Sequence, residues 1–327
     1  MAKPSVFVTR LIPQANIDEL KKHFDVEVNY EDRPLLKEEI QAKARGCAAL
    51  LTLLTDPVDG ALLDAAGPQL KIVANFAVGF NNFDLAAATE RGVVLTNTPG
   101  VLDDATATHT WCLLLSTARR IVEADRYVRE AKWKGWAAMA FLGLDVDKKT
   151  LGIAGLGRIG KNVARKAKGF DMRIIYSDVK RDQDFEAQSG AMFVDKETLL
   201  KESDFLTLHV PLTPETRHYI GEKELKMMKD TAVLINACRG PVVDEKALVA
   251  ALREKQIWGA GLDVYENEPQ IEPGLAELDN VVIVPHIASS TVETRLNMGR
   301  IAVNNIIKVL HGESPDTCVN PEVLKKK

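Results

Sequence analysis

The sequence predicts an α/β protein with two doubly wound parallel-sheet domains, one inserted in the other. Three observations predict it. Short β-branched runs alternate with amphipathic stretches along nearly the whole chain, the pattern of repeated β-α units. The chain has 327 residues, which at roughly 150 residues per domain suggests two domains. The alternation breaks at Pro99-Gly100 and resumes before a glycine-rich turn at Gly155.

The elements follow in order. Residues 5–9, 26–29, 48–52, 71–77 and 93–96 read as strands. Helices are expected over 15–23, 37–45, 59–66 and 84–91, the first placed by Pro13 and the second stopped by Gly46. A long helix is expected over 103–120, capped by Asp103 or Asp104, and another over 122–130. Residues 132–143 hold Trp133, Trp136 and Phe141 with no clear period. They read either as an arm on a partner chain or as a loop on their own domain. Six apolar runs then end in distinctive residues: 151–154 at Gly155, 173–176 near Asp178, 205–210 at Pro211, 232–235 before Arg239, 260–262 at Asp263, and 281–284 at Pro285-His286. Open α/β sheets bind ligands at the carboxyl ends of their strands, so these residues share one expected edge. Ser290-Thr-Val-Glu293 has the capping-box pattern and starts a helix that runs to about His311. The tail beyond Gly312 is too short for a third domain, and a doubly wound first sheet needs a closing element, so the last helix is expected to return to it. The expected divisions are 1–99, 100–287 and 288–327.

Composition narrows the function. Lys plus Arg is 42 and Asp plus Glu is 46, giving a net charge of −4. The one basic block is Lys325-Lys326-Lys327, so neither nucleic acid nor an anionic membrane is an expected partner. No apolar run reaches the ~18 residues of a membrane span. Met-Ala-Lys-Pro leads into a strand without a secretory pattern. Cys47, Cys112, Cys238 and Cys318 form no CxxC, which fits a reducing, cytoplasmic setting and gives no metal site.

Gly155-Leu-Gly-Arg-Ile-Gly160 follows a strand and opens a helix, and Asp178 lies at the end of the next strand. In this setting Gly155 permits a tight turn, Gly157 lets the backbone approach a pyrophosphate, and Gly160 lets helix pack on strand. The helix N-terminus suits phosphate. Asp178 would accept from ribose hydroxyls and repel a 2′-phosphate, favouring NAD(H), with NADP(H) as the alternative because Lys180 and Arg181 are near. Arg239 offers a planar guanidinium suited to a carboxylate. His286 offers the imidazole best matched to proton transfer near neutral pH. Glu266 and Glu268 are both spaced to serve as its carboxylate partner, which would favour the imidazolium and fix its tautomer.

Gly155–Gly160, Asn236-Ala-Cys-Arg-Gly-Pro-Val-Val-Asp244, Asp263-Val-Tyr-Glu-Asn-Glu-Pro269 and Pro285-His-Ile-Ala-Ser289 resemble the signatures of the D-2-hydroxyacid dehydrogenases, with the glyoxylate/hydroxypyruvate reductase branch most alike. The resemblance spans essentially the whole chain. It implies a Rossmann nucleotide domain inserted in a smaller flavodoxin-like substrate domain, and reduction of a small 2-oxoacid. Arg239 would bind the substrate carboxylate, His286 would donate the proton, and Glu268 would be its partner. The Val78 and Gly79 amides would hold the carboxylate. Thr106, Arg158, Ile159, Asp178, Pro211, Ala237, Cys238, Arg239, Asp263 and His286 would line the cofactor together with the three glycines. It also implies a homodimer. Thr108-His109 stand where many relatives carry an acidic residue, and His109 is expected to pack in its helix. A phosphite, formate or larger 2-oxoacid dehydrogenase is the alternative activity, and an NAD-sensing corepressor-like protein is the alternative class. Phosphite-oxidising relatives place a lysine where Val78 stands.

Overall fold

The computed structural model describes residues 3–326, so Met1, Ala2 and Lys327, the end of the basic tail, lie outside it. The chain divides into two compact units, Met1–Leu102 with Ser290–Lys327, and Asp103–Ser289.

The first unit begins with β1 (Ser5–Val8), α1 (Gln14–His23), β2 (Asp25–Val28), α2 (Lys37–Ala44), β3 (Ala49–Thr52), α3 (Gly60–Ala66), β4 (Ile72–Asn75), α4 (Leu85–Glu90) and β5 (Val94–Thr96). Its strands pair in parallel in the order β2-β1-β3-β4-β5. Strands β3, β4 and β5 are buried along their whole length. Helices on both faces cover such a sheet, which is why these strands read as continuous apolar runs.

The second unit contains α5 (Asp103–Ala118), α6 (Ile121–Arg129), β6 (Thr150–Ala154), α7 (Arg158–Ala167), β7 (Arg173–Ser177), α8 (Gln183–Ser189), β8 (Met192–Phe193), α9 (Lys196–Glu202), β9 (Phe205–Leu208), α10 (Glu222–Met227), β10 (Val233–Asn236), α11 (Glu245–Arg253), β11 (Gly259–Leu262) and β12 (Val281–Ile283). These strands are also all parallel, in the order β12-β11-β10-β9-β6-β7-β8. The order reverses at the β6/β9 boundary, the switch point where such sheets take ligands. Helix α12 (Val292–Leu310) then returns the chain to the first unit, against α1 and β4. Beyond it, the buried Asn320 accepts from Leu95 N–H at 2.9 Å and donates to Val93 C=O at 2.9 Å, closing the β5 edge.

Aspartates mark many helix starts. Asp59, Asp84, Asp182, Asp195 and Asp244 each accept the amide three residues on, satisfying a donor that the helix itself cannot. Two expectations are corrected. The cap of α12 is Thr291, which accepts from Thr294 N–H at 3.1 Å, while Ser290 Oγ takes an Arg295 guanidinium at 2.9 Å. Strand β8 adds a seventh member to the second sheet; its two exposed residues sit in the short apolar run Ala191-Met-Phe-Val194, which is not among the expected strands. Between α6 and β6 the chain forms no regular element. Among the described residues, no helix is long and apolar enough to cross a membrane.

Candidate active site

Strand β6 ends in a turn that only glycine can make. Gly155 has φ +91°, and a Cβ there would fall 2.8 Å from the His209 backbone at the end of β9. At Gly160 a Cβ would fall 2.3 Å from the Gly155 carbonyl, so α7 packs directly on the turn. Gly157 differs from both. A Cβ there would meet nothing within 4 Å, leaving an open face over the backbone. Gly157 is also the N-cap of α7, with no side-chain cap and no acidic residue in the first turn. The first amides of α7 therefore have no helical acceptor and carry the positive end of the dipole, which suits a phosphate. Asp178, at the end of β7, accepts from Leu156 N–H at 2.6 Å and braces the turn. Arg158 is exposed and bound through Nε to Asp103 at 2.7 Å, and Ile159 beside it is half-buried. Thr106 is buried on α5. The residues present fit a dinucleotide at this edge.

The neighbouring strand ends carry the ionisable groups. Asn236, buried at the end of β10, donates to the Arg239 carbonyl at 3.0 Å and accepts from Cys238 N–H at 3.1 Å. It thereby shapes the turn from Ala237 to the half-buried Arg239. A Cβ on Gly240 would lie 1.9 Å from the Tyr265 carbonyl carbon, so the β10 and β11 connections touch backbone to backbone. Tyr265 then donates from its hydroxyl to the Val284 carbonyl at 2.8 Å, tying the β11 end to the β12 end.

Asp263 grips the segment that carries His286. Its carbonyl accepts from His286 N–H at 2.8 Å, and its carboxylate accepts from Ile287 N–H at 2.7 Å and Ala288 N–H at 2.9 Å. Three consecutive amides thus converge on one residue whose side chain is fully buried. They hold His286 at φ +54°, a left-handed conformation that costs a side-chain-bearing residue about 1–3 kcal/mol. His286 Nδ1 lies 2.9 Å from Glu268 Oε2, and Glu268 Oε1 accepts from Tyr265 N–H at 3.0 Å. Burial pushes the Glu268 carboxyl up, but the His286 hydrogen bond and charge, the Tyr265 amide and the Arg239 charge outweigh it and hold the group below its ordinary value. An ionised carboxylate only accepts, so Nδ1 bears a proton and Nε2 is left for a ligand.

The choice between the two glutamates is settled by other partners. Glu266 is taken by His218 Nε2 at 2.7 Å and Arg217 at 3.2 Å. Sequence reasoning missed Asn236, Tyr265 and the buried Glu245, whose carboxylate accepts the Glu266 and Glu272 amides. It also missed that His109 Nε2 lies 3.2 Å from the Asp263 carboxylate. Burial pushes the Cys238 thiol up to about 11, so it is a poor nucleophile. In the first unit, Asn97 and Asn75 donate to the carbonyls of Val78 and Gly79 at 2.7 and 2.9 Å. Pro211 follows β9 and receives the Thr216 hydroxyl on its carbonyl at 2.6 Å.

A family model described as D-isomer specific 2-hydroxyacid dehydrogenase, NAD binding domain, matches residues 111–288. A glyoxylate reductase of Korarchaeum cryptofilum is 52% identical over 326 residues, 99% of this chain and 98% of its own. One from Thermococcus gammatolerans is 51% identical over 99% of this chain and 98% of its own. Among solved structures, an NADPH-dependent glyoxylate/hydroxypyruvate reductase of Sinorhizobium meliloti, in complex with NADP and malonate, aligns with a TM-score of 0.87 at 32% identity, over 98% of both chains.

The depressed Glu268 has a measurable consequence. Its contribution to stability is full above the unfolded pKa near 4.5 and is lost as pH falls through the lower folded value. In denaturant titrations, wild type should exceed Glu268→Gln in stability at pH 6, and the gap should narrow as pH falls from about 4.5 through the lower folded value. A gap that stays constant over that range contradicts the pairing.

Proposed function

Because the chain belongs to the D-isomer specific 2-hydroxyacid dehydrogenases, we propose that it reduces small 2-oxoacids, glyoxylate and hydroxypyruvate foremost, to 2-hydroxyacids. The observation that carries this reading is the Glu268–His286 pair, on the same sheet edge as an open glycine turn. Unit Asp103–Ser289 is the nucleotide domain in this proposal, and the other unit is the substrate domain.

Bound NADH supplies the hydride. The Gly155–Gly160 turn and the α7 N-terminus hold the pyrophosphate, with Arg158, Ile159, Thr106 and Pro211 lining the dinucleotide. Asp178 accepts from the ribose hydroxyls, which favours NAD(H) over NADP(H). Arg239 pairs its guanidinium with the substrate carboxylate, and its charge polarises the adjacent keto oxygen. Val78 and Gly79 are assigned to substrate binding within their own unit; their amides share peptide planes with the Ala77 and Val78 carbonyls, which accept from Thr98 N–H at 2.9 Å and from Asn97 at 2.7 Å. His286 gives its Nε2 proton to the keto oxygen as negative charge develops there, and Glu268 stabilises the imidazolium and holds its orientation. Asp263, fully buried, serves by holding the His286 segment.

The proposal extends to a homodimer. Helix α6 has no buried residue, and the segment after it exposes Trp133, Trp136 and Met139, with Trp136 87% exposed. An apolar patch of this kind marks an interaction surface. The four cysteines are free, which supports a cytoplasmic location.

NADH absorbance should fall when glyoxylate or hydroxypyruvate is added. His286→Ala should cut turnover by about 10²–10⁴-fold and leave NADH affinity intact. Wild-type turnover in that variant would remove His286 from the reaction, and no oxidation with any 2-oxoacid would remove the activity. For the dimer, sedimentation should give twice the chain mass for wild type and a monomer for Trp136→Ser. A monomeric wild type contradicts it.

A further inference from the structure

The connection between β7 and α8 carries an ion-pair arrangement that the proposed reaction does not use. Arg181 Nε lies 2.9 Å from Glu186 Oε1, and its terminal nitrogen lies 2.7 Å from Oε2. This two-pronged pairing fixes the guanidinium plane. The Tyr176 hydroxyl, on β7, donates to the same Glu186 Oε1 at 2.7 Å and accepts from Asp182 N–H at 2.8 Å. Tyr176 is itself fully buried, so the carboxylate is held from the core side as well as by Arg181. The hydrogen bonds and charge of Arg181, with the Tyr176 hydroxyl, hold the Glu186 carboxyl below its ordinary value. Of the other cations nearby, Lys161 pairs with Asp182, while Lys180 acts on Asp182 through its charge alone.

In a dinucleotide fold, the carboxylate ending the second strand meets the adenosine ribose. Here that carboxylate is Asp178, and Arg181 follows three residues later in the same short connection. A guanidinium at this point is the group that would accept a 2′-phosphate. We infer that Glu186, braced by Tyr176, is a specificity-determining residue: it withholds Arg181 from a 2′-phosphate, so the site selects the dinucleotide that lacks one. The inference rests on the nucleotide-binding reading above and assigns its selectivity to residues outside the glycine turn. Asp178 repels the phosphate directly, and Glu186 removes the neighbouring charge that would offset that repulsion.

The test is equilibrium binding of NADH, NADPH and adenosine 2′,5′-bisphosphate by titration calorimetry, without substrate. Wild type should bind NADH more tightly than NADPH. Glu186→Gln should tighten NADPH and the bisphosphate about tenfold, the gain of one charge-assisted contact, and leave NADH within about twofold. Arg181→Ala should change neither dinucleotide, because the guanidinium is already engaged. Glu186→Gln combined with Arg181→Ala should lose the gain. Unchanged NADPH affinity in Glu186→Gln, a gain that survives in the double variant, or weaker NADPH binding in Arg181→Ala each overturns the inference. Should Glu186→Gln fail to fold, the Arg181→Ala arm decides alone. A wild type that binds no NADH instead overturns the nucleotide-binding reading itself.

Discussion

The convergence of three amides on Asp263 is the constraint on which this edge of the sheet, and the proposed active site on it, depends. A histidine does not rest in the left-handed region by preference, and the strain at His286 is small beside the hydrogen bonds that offset it. Those bonds come from consecutive residues, 286, 287 and 288, so they fix a direction as well as a position. The ring then meets Glu268, which its own bond to the Tyr265 amide keeps in place. Remove the aspartate and Glu268 still orients the ring, but the backbone that carries the ring loses the bonds that hold it in place.

The glycine turn imposes the other constraint, by exclusion. Gly155 and Gly160 have no room for a side chain, while Gly157 has room and leaves it open. Contact on two sides and space on the third is what a backbone needs if it is to approach a charged ligand. Asp178 contributes twice here. Its bond to Leu156 N–H shapes the turn, and its charge faces the sugar end of the proposed dinucleotide. Selectivity then depends on what the nearby cations are doing, which is a matter of side-chain pairing and not of backbone.

The sheet was legible in the sequence because parallel strands buried on both faces leave unbroken apolar runs. The run Ala232–Ile235 at β10 is an example. Strand β8 lies in an apolar run of only four residues, Ala191–Val194, and its own two residues are exposed at the sheet's margin. The start of α12 was misread by one residue because Ser290 and Thr291 are both good caps, and only the Arg295 contact shows that Ser290 is occupied elsewhere. Arg239 and His286 could be proposed because each follows a strand, whereas Glu268 is singled out from Glu266 only by the family resemblance. Glu266 and Glu268 could not be separated by spacing, since the difference lies in His218, 48 residues upstream of Glu266. Glu245 and Tyr265 escaped notice for the same reason: their partners are distant in sequence, and their residue types announce no role.

The most direct test of this account is a crystal structure with NADH and oxamate, an inert analogue of a 2-oxoacid. The account predicts His286 Nε2 within about 3.2 Å of the analogue's keto-position oxygen, Nδ1 still on Glu268, and the carboxylate against Arg239. An imidazole turned away from that oxygen, or a carboxylate bound without the guanidinium, would contradict it.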